Sequence, residues 1–208
     1  MTQYQGHPDQ RYGHITYSQH GEDLMILNIF DQLGIKTGRY LDLGAHHPTT
    51  ISNTKLLYDR GWRGVNVEAN PNLIEAFQLE RPEDINVCCA VAPTEGESTF
   101  YMYDDYSGLN TLVKPDYEPQ KTITVRTKTL NQIVDEYCGG KFPQLLLIDV
   151  EDLDYDVLSS SDFVSFYGPR VICSEVRMHD VEKMDKMMNR KSYRSVARMG
   201  ENEIYVGF

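Results

Sequence analysis

Residues 39–48 read RYLDLGAHHP, a short apolar run that ends in a glycine and is followed by a polar loop. Residues 64–71 read GVNVEANP, in which a second apolar run ends in an acid and an Asn-Pro pair then starts a helical stretch. Strand, loop and helix in this order form the repeating unit of α/β proteins. We therefore predict a parallel sheet whose strands alternate with helices.

The same unit recurs along the chain. Apolar runs predict strands at residues 39–43, 64–68, 85–91, 145–150 and 171–176. Helical spacing of apolar residues, with capping residues and glycine stops, predicts helices at residues 21–33, 52–61, 71–79, 130–137, 154–158 and 181–190. We predict one domain over residues 17–208, preceded by a flexible arm at residues 1–16.

Two further patterns depart from this alternation. Residues 98–103 and 121–127 alternate like half-buried strands, which predicts a small inserted β-hairpin. Residues 192–198 and 203–208 predict a final antiparallel hairpin at the edge of the sheet.

Composition excludes several classes of protein. The 208 residues are 40% hydrophobic and 25% charged, which is typical of a globular domain and not of a disordered or fibrous chain. The net charge of −11 disfavours nucleic acid as a partner. We expect no membrane span, because no apolar run approaches the required ~20 residues. The N-terminus lacks a signal-peptide profile and the four cysteines form no CxxC pair, so we expect reduced thiols in a cytoplasmic protein.

Polar residues stand at the carboxyl ends of the predicted strands, where open α/β sheets bind their ligands. Asp42 and Gly44 end the first strand, and Glu68 ends the second at a spacing close to the ~20 residues typical of an acid that binds ribose hydroxyls. The loop after Gly44 lacks the GxGxxG pattern that holds a pyrophosphate. The sequence therefore favours a nucleoside without phosphates over a dinucleotide.

The predicted fourth strand ends in a run with four acids, at Asp149, Glu151, Asp152 and Asp154. If the strand continues, Asp149 and Glu151 share a face, where they could bind a divalent ion or leave one carboxylate as a base. Asp152 and Asp154 could instead cap the following helix. Glu175, at the end of the fifth strand, could be functional or form a buried salt bridge with a nearby arginine.

Six short blocks resemble, in order and spacing, the signatures of FkbM-type methyltransferases. The blocks are YSQHGED at 17–23, DLGAHHP at 42–48, SNT at 52–54, RGWRG at 60–64, EANP at 68–71 and IDVE at 148–151. The resemblance covers about residues 17–176 and implies S-adenosylmethionine as the cofactor. It also implies a class I methyltransferase Rossmann-like sheet in the order 3-2-1-4-5-7-6, with the last strand antiparallel and helices on both faces. The implied reaction is methylation of a hydroxyl on a sugar, glycan or related small metabolite.

The resemblance also suggests which residues bind the cofactor. Asp42, Gly44 and Ala45 would line its methionine end, and Glu68 would hold the ribose diol, with Ala69 and Asn70 beside it. Asp149 would face the transferred methyl group, and Ser107 would lie near the adenine or the acceptor. Ser18 and Gln19 would belong to a segment that covers the cofactor, although Ser18 could simply cap a helix.

Methyl transfer to an alcohol also needs a group that removes the hydroxyl proton. The candidates are His46, His47, Asp149, Glu151 and Glu175. Some similar sugar methyltransferases use magnesium, and Asp149, Glu151 and Asp152 could supply its ligands. Asp152 departs from the family, which usually has glycine after the Asp-Val-Glu run.

Two other functions stay open at this stage. A nicotinamide-dependent oxidoreductase would also place acids at strand ends, but it would normally carry the missing glycine pattern. The chain could also be a non-catalytic methyltransferase-fold module of a glycan-modifying assembly. In either methyltransferase-like case, it could be a domain of, or a partner to, a glycosyltransferase.

Overall fold

A computed structural model describes residues 15–116 and 118–208 of the chain, so the predicted arm at 1–16 lies almost wholly outside the described residues. The α-helices are α1 Glu22–Gln32, α2 Lys55–Asp59, α3 Pro71–Glu80, α4 Leu130–Tyr137, α5 Asp154–Ser160 and α6 Val181–Arg190. The strands are β1 Arg39–Leu43, β2 Arg63–Glu68, β3 Ile85–Cys88, β4 Ala90–Val91, β5 Gly96–Met102, β6 Lys121–Lys128, β7 Leu145–Ile148, β8 Val171–Glu175, β9 Tyr193–Met199 and β10 Asn202–Gly207.

Seven strands form the main sheet in the order β3-β2-β1-β7-β8-β10-β9. Strands β3, β2, β1, β7 and β8 pair in parallel, whereas β10 runs antiparallel to both β8 and β9. Numbered within this sheet alone, the order is 3-2-1-4-5-7-6 with an antiparallel last strand. The predicted class I methyltransferase topology is therefore confirmed.

The insertion is larger than the predicted hairpin. Strands β5 and β6 pair antiparallel from Gly96 opposite Thr127 to Met102 opposite Lys121, and β4 joins them in parallel to make a three-stranded sheet. The prediction of one strand over residues 85–91 is wrong, because the chain changes sheets at Cys89. Its first half extends the main sheet, and its second half starts the insertion.

Two apolar cores cover the two faces of the main sheet, and β7 contributes to both. Leu146 and Ile148 pack with residues of α4, α5 and α6, whereas Leu145 and Leu147 pack with residues of α1 and α2. This alternation follows from the period of two along a strand. It also explains why β7 is an unbroken apolar run, since a central parallel strand is buried on both faces.

The start of α3 is fixed by its own sequence. Asn70 accepts a hydrogen bond from the backbone N–H of Asn72 at 3.1 Å, and Pro71 occupies the first helical position. The helix therefore begins three residues after Glu68, at the edge of the sheet where the parallel strands end. Among the described residues, no helix has the length and apolar character needed to cross a membrane.

Candidate active site

A cavity of about 360 Å³ lies at the carboxyl ends of the parallel strands. Its volume falls within the ~300–1,000 Å³ typical of small-molecule sites. Most of the residues predicted for the site line it together: Gln19, Asp42, Gly44, Ala45, His46, Glu68, Ala69, Ser107, Asp149, Glu151 and Glu175. Four others lie outside its lining, namely Ser18, His47, Asn70 and Asp152.

Gly44 allows the ends of β1 and β7 to approach each other. Its φ is 76°, a conformation that favours glycine, and a Cβ atom there would overlap the backbone carbonyl oxygen of Asp149. Gly44 N donates to the carbonyl of Val67 at 2.9 Å, and Asp149 N donates to that of Leu43 at 3.0 Å. A larger residue at position 44 would therefore push the two strand ends apart and deform the cavity floor.

Asp42, the second-to-last residue of β1, presents a buried carboxylate to the cavity. Its Oδ2 accepts a hydrogen bond from the Thr54 hydroxyl at 2.7 Å. Burial raises the pKa of Asp42 to about 6, against the opposing effects of this hydrogen bond and the Arg81 charge. The group is therefore mostly ionised at neutral pH, and it suits an ammonium or other cationic group of a ligand.

Glu68 holds two loops in place as well as facing the cavity. Its Oε2 accepts from the His46 backbone N–H at 2.9 Å, and its Oε1 accepts from that of Asn70 at 2.8 Å. Burial raises the pKa of Glu68, while these two hydrogen bonds oppose the rise. Each carboxylate oxygen keeps a second lone pair for a ligand hydroxyl.

Three further acids gather around one end of the cavity, following β7 and β8. Burial raises the pKa of Asp149 to about 6, helped by the nearby charge of Asp42. Burial, followed by the charge of Asp149, raises the pKa of Glu151 and of Glu175 to about 8. At neutral pH, this end of the cavity therefore holds an ionised carboxylate beside two carboxyl groups that largely retain their protons.

The backbone does not continue as a strand after β7. The prediction that Asp149 and Glu151 share a face depended on such a continuation. Glu151 and Asp152 adopt left-handed conformations, with φ of 50° and 75°. This turn brings Glu151 to the cavity and directs Asp152 to an ion pair with Arg177. The left-handed φ of Asp152 is one that glycine adopts without strain, so the glycine that the resemblance implies here would suit this turn.

The two adjacent histidines have different surroundings. His46 Nε2 lies 3.1 Å from the carbonyl oxygen of Tyr106 and must carry a hydrogen there, so any proton that His46 accepts goes to Nδ1. His47 Nδ1 accepts hydrogen bonds from the backbone N–H groups of Thr49 at 3.2 Å and Thr50 at 3.1 Å. Burial lowers the pKa of His47, and the ring closes a turn outside the cavity lining.

Ser18 and Asn70 perform structural roles beside the cavity. The Ser18 hydroxyl oxygen accepts a hydrogen bond from Gly21 N at 3.1 Å and donates to Asp23 at 2.9 Å, which stabilises the start of α1. Asn70 caps α3, and its side-chain amide donates to the carbonyl of Asp105 at 2.8 Å. Within the described parts of the chain, no group of three or more His, Cys, Asp or Glu side chains is arranged to hold a metal ion.

Several cavity residues were not predicted from the sequence. Ile51 and Asn53 come from the loop after β1, Glu201 comes from the turn between β9 and β10, and Asn202 is the first residue of β10. The position of Glu201 and Asn202 could have been inferred from the predicted final hairpin. Because β10 is antiparallel to its neighbours, it begins at the edge where the parallel strands end.

Comparison with known families gives a match over residues 42–195 to the model described as the methyltransferase FkbM domain. The chain belongs to the FkbM methyltransferase family. This match spans more than half of the chain and includes both strand-end acids, Asp42 and Glu68, together with Asp149 and Glu175. The chain is therefore a methyltransferase domain of a family that uses S-adenosylmethionine.

Two solved structures are similar to this FkbM domain. A TehB-like SAM-dependent methyltransferase from Corynebacterium glutamicum is 12% identical with a TM-score of 0.49, covering 98% of this chain and 95% of the other. A putative RNA methyltransferase, PH1948, from Pyrococcus horikoshii is 10% identical with a TM-score of 0.46, covering 92% and 86%. Comparison with curated proteins gives no significant match.

The cavity of the FkbM domain fits S-adenosylmethionine. Asp42 can bind the amino group, Gly44 leaves room along the backbone, and Glu68 can accept hydrogen bonds from the ribose hydroxyls. Leu73, Val91 and Phe100 give the same cavity an apolar wall that suits an adenine ring.

Proposed function

We propose that this FkbM-family chain transfers a methyl group from S-adenosylmethionine to a hydroxyl of a sugar, glycan or related small metabolite. The observation that carries the proposal is the group of Asp149, Glu151 and Glu175 around one end of the cavity. Bound cofactor supplies a methyl group that is already activated by a positively charged sulfur. The protein's tasks are therefore to align the acceptor and to remove its hydroxyl proton.

Glu151 is the base that we favour. With its pKa raised to about 8, about one Glu151 in ten is ionised at pH 7. That ionised form is the base, and it binds a proton more strongly than an ordinary carboxylate, which suits it to deprotonating a weakly acidic hydroxyl. Asp149, with its lower pKa of about 6, keeps the neighbouring negative charge that raises the pKa of Glu151. Glu175 also hydrogen-bonds with Glu201, so its proton is shared within a second acid pair.

The loop over the cavity supports a sugar-like acceptor. Tyr106 lines the cavity while 69% of its surface is exposed, so its ring is available at the entrance. An aromatic ring at the mouth of a polar cavity can stack against the apolar face of a sugar. The lining contains no lysine or arginine among the described residues, which favours a neutral acceptor over a phosphorylated or acidic one.

The first test is calorimetric titration with S-adenosylhomocysteine, with NAD as the control ligand. Binding of S-adenosylhomocysteine alone is expected, because the cavity has an acid for ribose but no glycine-rich cradle for a pyrophosphate. Binding of neither ligand would instead support the non-catalytic module.

The second test incubates the protein with S-adenosylmethionine and a panel of neutral sugars, uronic acids and sugar phosphates, followed by mass spectrometry. The expected product is a neutral sugar that has gained one methyl group. Its formation should fall by ~10²–10⁴-fold in the Glu151→Gln variant, the range for loss of a general base. Methylation of amines or of RNA in place of hydroxyls would contradict the proposal.

A further inference from the structure

Arg81 is a fully buried arginine just beyond the end of α3. Its Nη1 donates to the Thr54 hydroxyl at 2.8 Å, and its Nη2 donates to the Ser52 hydroxyl at 2.8 Å and to the carbonyl of Pro48. The guanidinium also lies 5.2 Å from the centre of the Phe77 ring. One side chain thus binds three positions of the loop that joins β1 to α2.

The charge of Arg81 is balanced through a hydroxyl group. Its hydrogen-bond acceptors in the described structure are hydroxyl and carbonyl oxygens, and a buried charge is costly unless an opposite charge lies near. Thr54 provides the link, because it accepts from Arg81 and donates its single hydroxyl hydrogen to Asp42. An arginine cannot accept a hydrogen bond, so the direction of both bonds is fixed.

The loop that Arg81 binds also forms a wall of the cavity. Ile51, which has a left-handed φ of 52°, and Asn53 both line the cavity. Arg81 binds positions 48, 52 and 54, which lie on either side of these two residues. A strained backbone of this kind persists only where its surroundings hold it.

We infer that Arg81 is a positioning residue of the cofactor site, which acts through Thr54 to keep Asp42 charged and oriented and which fixes the cavity wall at residues 51–53. The inference rests on the proposed binding of the cofactor's amino group by Asp42. Arg81 itself lies outside the cavity lining, so its effect on a ligand is indirect.

Other charged and titratable groups also face Asp42, and their effects on its pKa must be weighed against those of Thr54 and Arg81. These groups are Tyr40 on the same strand, Asp84 before β3, Asp149 after β7 and Cys173 on β8. Burial and the charge of Asp84 raise the pKa of Asp42, whereas Thr54 and Arg81 lower it. Without the link through Thr54, the acids would dominate and the pKa of Asp42 would rise further.

Thr54→Val gives the sharpest test, because it removes the hydroxyl while nearly preserving the shape of the side chain. The affinity for S-adenosylhomocysteine is measured by calorimetry between about pH 6 and pH 8.5. A rise of about one pKa unit in Asp42 should weaken binding about fivefold near pH 6 and about threefold near pH 6.5, and leave it nearly unchanged near pH 8.5. Thr54→Ser keeps the hydroxyl and should bind like the wild type at every pH.

Substitutions at Arg81 separate its charge from its geometry. Arg81→Lys keeps the charge but cannot bind two hydroxyls and a carbonyl in the same fork, so binding should weaken at every pH without a change in pH dependence. Arg81→Met also removes the charge that lowers the pKa of Asp42, so binding should weaken and should in addition need a higher pH than in the wild type. If Arg81→Met does not fold, the pair of Thr54 variants still decides the question.

The outcomes distinguish this inference from the proposed function. If the wild type binds S-adenosylhomocysteine but Thr54→Val shows no loss, or an equal loss at every pH, the role of Arg81 through Thr54 is refuted and the cofactor site stands. If the wild type does not bind S-adenosylhomocysteine, both the cofactor assignment and this inference fail.

Discussion

Replacement of Glu68 by alanine should weaken cofactor binding and also destabilise the ligand-free protein. The substitution removes the carboxylate that is proposed to accept hydrogen bonds from the ribose. It also leaves the backbone N–H groups of His46 and Asn70 without their acceptor. These two N–H groups begin the loops after β1 and β2. The two backbone contacts therefore give Glu68 a structural role beside its proposed role in binding.

The size of the effect follows from two opposing contributions. Hydrogen bonds to a charged group contribute about 1.5–3 kcal/mol each, so the loss of two would cost several kcal/mol. Removal of the carboxylate also relieves the burial cost that raises the pKa of Glu68. We therefore expect a net loss of about 2 kcal/mol, which lowers the Tm of a domain of this size by about 4–8 °C.

Thermal unfolding and calorimetry of the same samples test the two effects separately. Glu68→Ala should show the Tm decrease without ligand and bind S-adenosylhomocysteine at least about tenfold more weakly, the factor for loss of one charge-assisted hydrogen bond. Glu75→Ala, at an exposed position of α3, is the matched control and should change neither quantity. An unchanged Tm would refute the structural role of Glu68, and unchanged affinity would refute the ribose assignment.

Three other substitutions test separate parts of the site. Gly44→Ala should cost about 1–2 kcal/mol for its left-handed backbone alone, plus the overlap with Asp149, and should abolish measurable cofactor binding by calorimetry. The pKa of Glu151 is raised in the folded state, so the free energy of unfolding of the wild type should fall as pH rises to about 8. Glu151→Gln lacks this titration, so in urea unfolding its stability relative to the wild type should be higher at pH 8 than at pH 5. An equal difference at both pH values would contradict the raised pKa. Tyr106→Ala should raise the KM for the sugar about fivefold with kcat nearly unchanged, the effect of losing one stacking contact of about 1 kcal/mol, and an unchanged KM would exclude stacking.

The alternation of elements was predictable from the sequence because each parallel strand is buried and bounded by polar turns. Helices α4 and α6 have the predicted bounds, and β1, β7 and β8 lie within one or two residues of theirs. The division of residues 85–91 was not predictable, because residues 87–91 form one apolar run with no turn residue at the point of division. Only the pairing partners differ, since β3 joins β2 whereas β4 joins β6, and such long-range pairing leaves no local signal.

The strand-end part of the site was equally predictable, since parallel strands bring their carboxyl ends to one edge. Asp42, Glu68, Asp149 and Glu175 therefore lie around one cavity. The role of His47 in a turn and the connection of Arg81 to Asp42 depend on side-chain directions within loops, which residue types and spacing do not determine. The family resemblance could identify the methyltransferase but not these connections.

The loop between β5 and β6 is joined by three hydrogen bonds to segments that follow strands of the main sheet. His46 Nε2 donates to the carbonyl of Tyr106 at 3.1 Å, Asn70 donates to that of Asp105 at 2.8 Å, and Thr111 donates to that of Glu151 at 3.0 Å. Each such hydrogen bond contributes only about 0.5–1.5 kcal/mol net, so the loop can open on the microsecond to millisecond scale. For the cofactor proposed to bind in this cavity, loop opening would then limit the rates of entry and exit. Weakening one of these hydrogen bonds should speed entry and exit alike and leave the equilibrium affinity nearly unchanged.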